Sequence, residues 1–131
     1  MNALMLLKNK DSVSYLYETD SIQTGLEELH RHGYTAIPVL TLEGTYAGSI
    51  SEGDFLRHLV KHSGKGFSSN TQIREIMRAN FNPAVRIDVE MEELLELSMK
   101  QNFIPVVDDR DFFIGIITRQ DIIKAIVHAK N

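Results

Sequence analysis

The stretch IPVLTLEGTYAGSISEGDFLRHLV, residues 37–60, returns without a gap 67 positions later as IPVVDDRDFFIGIITRQDIIKAIV, residues 104–127. Seven of the 24 positions are identical, Ile37, Pro38, Val39, Gly48, Ile50, Asp54 and Val60 recurring as Ile104, Pro105, Val106, Gly115, Ile117, Asp121 and Val127. Average residue usage would leave about one or two such coincidences. One supersecondary unit is therefore written twice, and two copies are expected to pack as one pseudo-symmetric body in which each cleft residue occurs twice.

Working outward, Val13, Tyr15 and Tyr17 alternate with Ser14, Leu16 and Glu18 as a strand does. Asp20 reads as a helix N-cap, and Ile22, Leu26 and Leu29 keep helical spacing up to Gly33, a residue suited to closing a helix. The pattern predicts a helix over about 20–32, a strand over 35–40, a turn at Glu43-Gly44, a strand over 46–50 and a helix from Ser51 to about His62. The second copy repeats the order: a strand over 81–87, a helix over 88–101 with Met91, Leu94, Leu95 and Met99 inward, a hairpin turning at Asp108 to Asp111, and a last helix. Residues 63–70, rich in glycine and serine, read as a mobile connection, and Ile73 to Arg78 as a short leading helix. Asp20 and Asp88 are 68 apart but Pro38 and Pro105 only 67. The second copy is thus expected to be one residue shorter in its helix-to-strand turn. The division is 4–62, linker 63–72, and 73–128, within one α/β module of two β-α-β-β-α repeats.

At 131 residues and 43% hydrophobic, the chain can bury a continuous core. Without cysteine it has no disulfide, thiolate nucleophile or cysteine-ligated metal. No apolar run reaches membrane-spanning length and Met1 to Leu7 is short for a signal peptide, so a cytoplasmic protein without membrane attachment is expected. The 14 basic and 18 acidic residues are interspersed. Arg57-Lys61-Lys65 and Arg74-Arg78 are interrupted by acidic and polar residues, so no phosphate-backbone footprint forms and nucleic-acid binding is not expected.

Ser51-x-x-Asp54 and Thr118-x-x-Asp121 each fall where a strand passes into a helix. One reading is a capping box, in which the hydroxyl takes a backbone N–H and the acid favours the helix start, the cap contributing about 0.5–2 kcal/mol. The other uses the same geometry for a ligand: the helix start attracts phosphate, and a first-turn carboxylate accepts both hydroxyls of a ribose.

The hydrophobic-Pro-Val strands and the Gly-h-h-Ser/Thr-x-x-Asp elements, both doubled, resemble those of a tandem pair of CBS domains, or Bateman module, over about Leu4 to Val127. The resemblance implies non-catalytic regulation by adenine nucleotides bound in two composite clefts. Each joins the Ser/Thr-x-x-Asp of one repeat to the first strand and pre-proline turn of the other. Carried onto this sequence, the main cleft joins Ile117, Thr118, Arg119 and Asp121 with Val13, Ser14, Tyr34, Thr35, Ala36, Ile37 and Pro38. Asp121 would hold the ribose, Thr118 and Arg119 the phosphates, and Tyr34 to Ile37 the adenine. The second joins Gly48, Ser51 and Asp54 with Phe81, Asn82, Asn102, Phe103, Ile104 and Pro105. It is the weaker of the two, because Glu52 stands where Arg119 stands in the first and its pre-proline turn is the shortened one.

The stretch from Gly33 to Val39 with Thr118-Arg119 is also similar to small stand-alone CBS proteins of Gram-positive bacteria that bind cyclic di-AMP. Those carry a second arginine and an N-terminal lysine, where this chain has Gln120 and Ser12, with Lys10 near enough to compensate. The resemblance further implies a homodimer, to which the apolar Ile122, Ile123, Ile126 and Val127 of the last helix contribute, and an effector protein that reads ligand occupancy. No cofactor is required. A dimerisation scaffold with empty clefts is the alternative.

His58 and His62 share a helix face, but no third ligand accompanies them, so no metal site is expected. His30, His32 and His128 read as surface residues. Asp108, Asp109 and Asp111 belong to a hairpin turn rather than to a calcium loop. Arg57 and Lys124, each three residues after a repeated aspartate, suit either an ion pair or a phosphate. Tyr34 and Phe103 suit either the core rim or base stacking. No serine, histidine and carboxylate set forms a triad, and an enzyme is not expected.

Overall fold

The computed structural model describes residues 2–62 and 70–129. In chain order they form α1 (Ala3–Leu6), β1 (Lys8–Asn9), β2 (Leu16–Tyr17), α2 (Ile22–His32), β3 (Ala36–Leu40), β4 (Tyr46–Ser51), α3 (Glu52–Lys61), β5 (Val85–Arg86), α4 (Met91–Ser98), β6 (Phe103–Val107), β7 (Phe113–Thr118) and α5 (Arg119–Ala129). Single turns of 3-10 helix lie at Lys10–Ser12 and Ile73–Glu75. The expected connection falls mostly on 63–69, outside the described residues.

Two compact units result: Ser14–Phe81, and Met1–Val13 with Asn82–Asn131. In the first, β2 runs parallel to β3 and β3 antiparallel to β4, and α2 and α3 close over Leu16, Ile22, Leu29, Ile37, Val39, Ile50, Phe55 and Ile73. Ile73 arrives on the segment after the connection, where its N–H donates to Asp20 O and Ile22 N–H donates to Thr71 O. In the second, β5 is parallel to β6, β6 antiparallel to β7, and β1 adds antiparallel to the outer edge of β7. Ala3, Val85, Leu94, Ile104, Val106, Ile117 and Ile122 form its core. Burying a side chain such as Ile37 or Ile104 contributes about 1.5–3 kcal/mol, which is why the repeated Ile-Pro-Val strands are the most deeply buried in both units.

The duplication reaches into the register. Ile37 pairs with Ile50 as Ile104 does with Ile117, and both hairpins carry an irregularity at the same place, between Val39 and Leu40 and between Val106 and Val107. Opposite it stand Gly48 and Gly115, at φ of 147° and 154°. An extra residue accommodated by a positive-φ glycine is what a bulge requires.

Several sequence expectations are corrected. The strand over 13–18 reduces to Leu16–Tyr17, with Leu16 inward rather than the alternating Val13, Tyr15 and Tyr17. The strand over 81–87 reduces to Val85–Arg86, and the leading helix to a single 3-10 turn. Ser21, not Asp20, caps α2, its side chain accepting Thr24 N–H, while the Asp20 carboxylate turns back to accept Tyr17 N–H at 2.8 Å. Gly33 does close the helix, at φ 66°.

The second helix starts at Met91 with Glu90 as its cap, and its inward face is Met91, Leu94, Leu97 and Ser98. Leu95 is exposed and Met99 is 81% exposed. The shortening lies in this helix, eight residues against eleven. The turn after it, 99–102, is one residue longer than 33–35.

Candidate functional site

Each Ser/Thr-x-x-Asp element begins a helix by the same device. The N–H of the first helical residue is taken by the carbonyl of the pre-proline turn, Glu52 by Thr35 O and Arg119 by Asn102 O, both at 2.9 Å. That bond fixes the turn against the helix start and uses one N–H that a phosphate would otherwise attract. Beyond this point the two copies diverge.

At the start of α5, the Thr118 hydroxyl accepts Asp121 N–H at 3.1 Å, the cap expected from the spacing. The Asp121 side chain remains 30% exposed, and the ammonium of Lys8, on β1, stands 3.6 Å from its Oδ2. Lys8 is thus an N-terminal cation at this aspartate. It arrives there because Lys8 pairs with Ile116 across the β1–β7 ladder. Arg119 Nε donates to Ser98 O at 2.6 Å, anchoring the guanidinium at the C-terminal end of α4, where carbonyl dipoles favour a cation. A hydroxyl, a carboxylate and an ammonium are thereby gathered at one helix start, whose first residue, Arg119, reaches to the end of α4. Ile117 is wholly buried beneath them.

At the start of α3, the Asp54 side chain is 0% exposed. Oδ2 accepts Ser51 N–H at 2.8 Å and the Ser51 hydroxyl at 3.2 Å. Oδ1 accepts Arg57 Nη1 at 3.0 Å and Arg78 Nε at 2.8 Å. Arg78 Nη2 also reaches the Ser51 hydroxyl, 3.1 Å away, while its guanidinium lies 4.1 Å over the ring of Phe81. Arg57 is therefore an ion-pair partner here. Gly48, assigned to the same cleft, faces the methyl of Met77.

The pre-proline turns differ in the same sense. Ala36 stands where Phe103 stands in the repeat, but the Phe103 carbonyl already receives Gln101 Nε2 at 3.3 Å and, marginally, Asn82 Nδ2 at 3.5 Å. Gln101 also donates to Pro83 O, and both Gln101 and Asn82 are buried, Asn82 at a positive φ of 58°. In the first copy Tyr34 occupies the position of Gln101; it is 45% exposed and stacks on the His32 ring. Ile37, Pro38, Ile104 and Pro105 are buried, so their side chains serve the cores and only their main chains face outward roles. Thr35 and Asn102 are exposed, and Val13, Ser14 and Ala36 are partly buried.

Arg78, Gln101 and Lys8 were missed as site residues in the sequence. Each acts over distance or through main chain: Arg78 is 24 residues from Asp54, and Gln101 has no motif. Among the described residues no group of three or more histidine and acidic side chains is placed to hold a metal, and no helix is long and apolar enough to cross a membrane. His62 Nδ1 lies 3.0 Å from the carbonyl of His58, and Asp108 takes Arg110 and Phe112 N–H in its turn.

Two β-α-β-β-α repeats sharing register, bulge and helix start define a duplicated α/β module. The chain belongs to the CBS-domain family, whose profile matches residues 9–61 and 73–128. It is similar to the crystal structure of CbpB in complex with c-di-AMP, with 25% identity and a TM-score of 0.87 over 98% of this chain and 85% of that one. A CBS-domain protein from Streptococcus pneumoniae shares 27% identity, with a TM-score of 0.85 over 98% and 88% of the two chains. The fold also matches CBSX2, solved in complex with AMP, at 24% identity and a TM-score of 0.80 over 99% and 98%.

Proposed function

We propose that the chain is a non-catalytic regulatory module that binds an adenine nucleotide, AMP, ADP, ATP or cyclic di-AMP, at the start of α5 and reports its presence to an effector protein. The observation that carries this reading is the contrast between Asp121, partly exposed beside Lys8, and Asp54, buried among its own partners. A carboxylate with open acceptor positions suits a ribose diol, and the Thr118 hydroxyl and the Lys8 ammonium, with Arg119 next to Thr118 in the chain, suit phosphate. The similarity to CbpB bound to c-di-AMP supports an adenine ligand.

In this reading the protein is a cytoplasmic homodimer. Reporting requires that the ligand bind two states of the module with different affinity, the difference setting how far occupancy shifts the effector-facing state. Mass spectrometry of small molecules released from the purified protein, followed by calorimetric titration with the four nucleotides, tests it. Asp121→Ala is expected to weaken binding by at least about tenfold to a hundredfold, the value of one charge-assisted hydrogen bond. Absence of any bound or titrating adenine compound would leave the scaffold reading in its place.

A further inference from the structure

The Asp54 carboxylate offers about four in-plane acceptor positions, two on each oxygen. All are used: Ser51 N–H and the Ser51 hydroxyl on Oδ2, Arg57 and Arg78 on Oδ1. A ribose diol must donate to those same positions. Of the four donors, two belong to Ser51 at the helix start itself, and a third is Arg57, whose side chain is 48% exposed. The fourth, Arg78, is brought in from beyond the connection, and its guanidinium bridges Asp54 and Ser51 while covering the Phe81 ring. It therefore touches the carboxylate, the hydroxyl and the aromatic ring that the repeat would otherwise present to a second nucleotide.

We infer that Arg78 is an internal occupant of the second nucleotide position, a specificity-determining residue that holds the Asp54 half of the duplicated module closed to ribose. The inference rests on the nucleotide reading above. Arg78 does by intramolecular contact what a ligand's hydroxyls would do, and its effective concentration at Asp54 outcompetes a free diol. Arg57 continues to pair with Asp54 when Arg78 is replaced, so the buried carboxylate is not left without a cation.

The test is calorimetric titration of the full chain with AMP, comparing the natural protein with Arg78→Gln, Arg78→Lys, Asp121→Asn, and the double variants Arg78→Gln/Asp54→Asn and Arg78→Gln/Asp121→Asn. Circular dichroism checks the folding of each. One AMP per chain is expected for the natural protein and two for Arg78→Gln. Adding Asp54→Asn should remove the second, and adding Asp121→Asn should leave it as the one that remains. Arg78→Lys, whose single ammonium cannot bridge Asp54 and Ser51 as a fork does, should show a second site weaker than that of Arg78→Gln.

A folded Arg78→Gln or Arg78→Lys protein that still takes one AMP, with Asp121→Asn abolishing it, overturns the inference while the nucleotide reading stands. So does tenfold weaker binding in Arg78→Gln, which would make Arg78 a ligand contact. Failure of the natural protein and every variant to bind AMP or cyclic di-AMP overturns the nucleotide reading and this inference together.

Discussion

Gly115 lies against the Lys8 carbonyl so closely that a Cβ at position 115 would collide with it. The repeated glycine, Gly48, meets a different neighbour, the terminal methyl of Met77, 2.6 Å from the corresponding Cβ position. Both glycines sit at positive φ, so alanine costs about 1–3 kcal/mol at either from backbone strain. The Met77 methyl can swing aside, whereas a backbone carbonyl in a β ladder cannot. Gly115→Ala is therefore expected to destabilise by at least about 2 kcal/mol more than Gly48→Ala, as measured by urea unfolding. Because it also displaces the strand that carries Lys8 to Asp121, it should weaken nucleotide binding where Gly48→Ala does not.

Gly25 illustrates a different constraint, packing rather than conformation. A Cβ there would lie 2.7 Å from Ile73 Cδ1, 3.0 Å from Phe55 Cζ and 3.3 Å from Leu16 Cδ1. Alanine in mid-helix gains about 1 kcal/mol of propensity over glycine, but overpacking a filled core costs about 1–3 kcal/mol. The second effect is expected to win. Gly25→Ala should lower the unfolding free energy by roughly 1 kcal/mol, and Gly25→Val by several times that, both read from chemical denaturation.

Tyr46 carries a pH dependence. Burial holds its phenol above the ordinary tyrosine range, opposed in part by the hydrogen bond with the Ser49 hydroxyl at 2.7 Å. The unfolded chain releases this proton near pH 10 while the folded chain retains it, so the contribution is complete below pH 10 and is lost as pH rises above it. The slope from this group is at most about 1.4 kcal/mol per pH unit. Alkaline titration at the tyrosinate absorbance should show a late phase that coincides with loss of helical circular dichroism. Tyr46→Phe should remove that phase and flatten the loss of stability above pH 10.

The parts of the fold that the sequence disclosed were those written by local periodicity. Ile37-Pro38-Val39, the Ser/Thr-x-x-Asp starts and the closing Gly33 all lie where a pattern of a few residues determines the structure. The failures have a common cause. Leu16 is inward because β2 pairs with Val39 and Leu40, a partner 23 residues away that alternation does not reveal. Leu95 and Met99 fit a helical stripe, yet Leu95 lies on the outer side of the helix, whose core face is Met91, Leu94 and Leu97, and the helix ends at Ser98, before Met99. At the site, the contrast of Arg119 with Glu52 was visible as one charge against another. What distinguishes Asp121 from Asp54 more sharply, Lys8 from one strand and Arg78 from beyond the connection, depends on contacts across 113 and 24 residues.

The last helix sets up a test of the dimer. Of the four apolar residues read as a dimer face, Ile122 is buried and Ile126 packs on the core, while Ile123 and Val127 are each 54% exposed and four residues apart, on one side of α5. The available face is thus half the expected one. Burying two such side chains against a second copy contributes about 1 kcal/mol or more apiece, enough to bias association but not to specify it alone. Since neither side chain supports its own core, Ile123→Glu/Val127→Glu should leave the melting temperature of the fold within a few degrees while placing like charges across the contact. Light scattering at micromolar concentration is expected to give twice the chain mass for the natural protein and the chain mass for the double variant. A natural protein already at the chain mass would exclude the dimer, and a double variant that remains dimeric would move the interface to another face, such as that of Leu56, Leu59 and Val60 on α3.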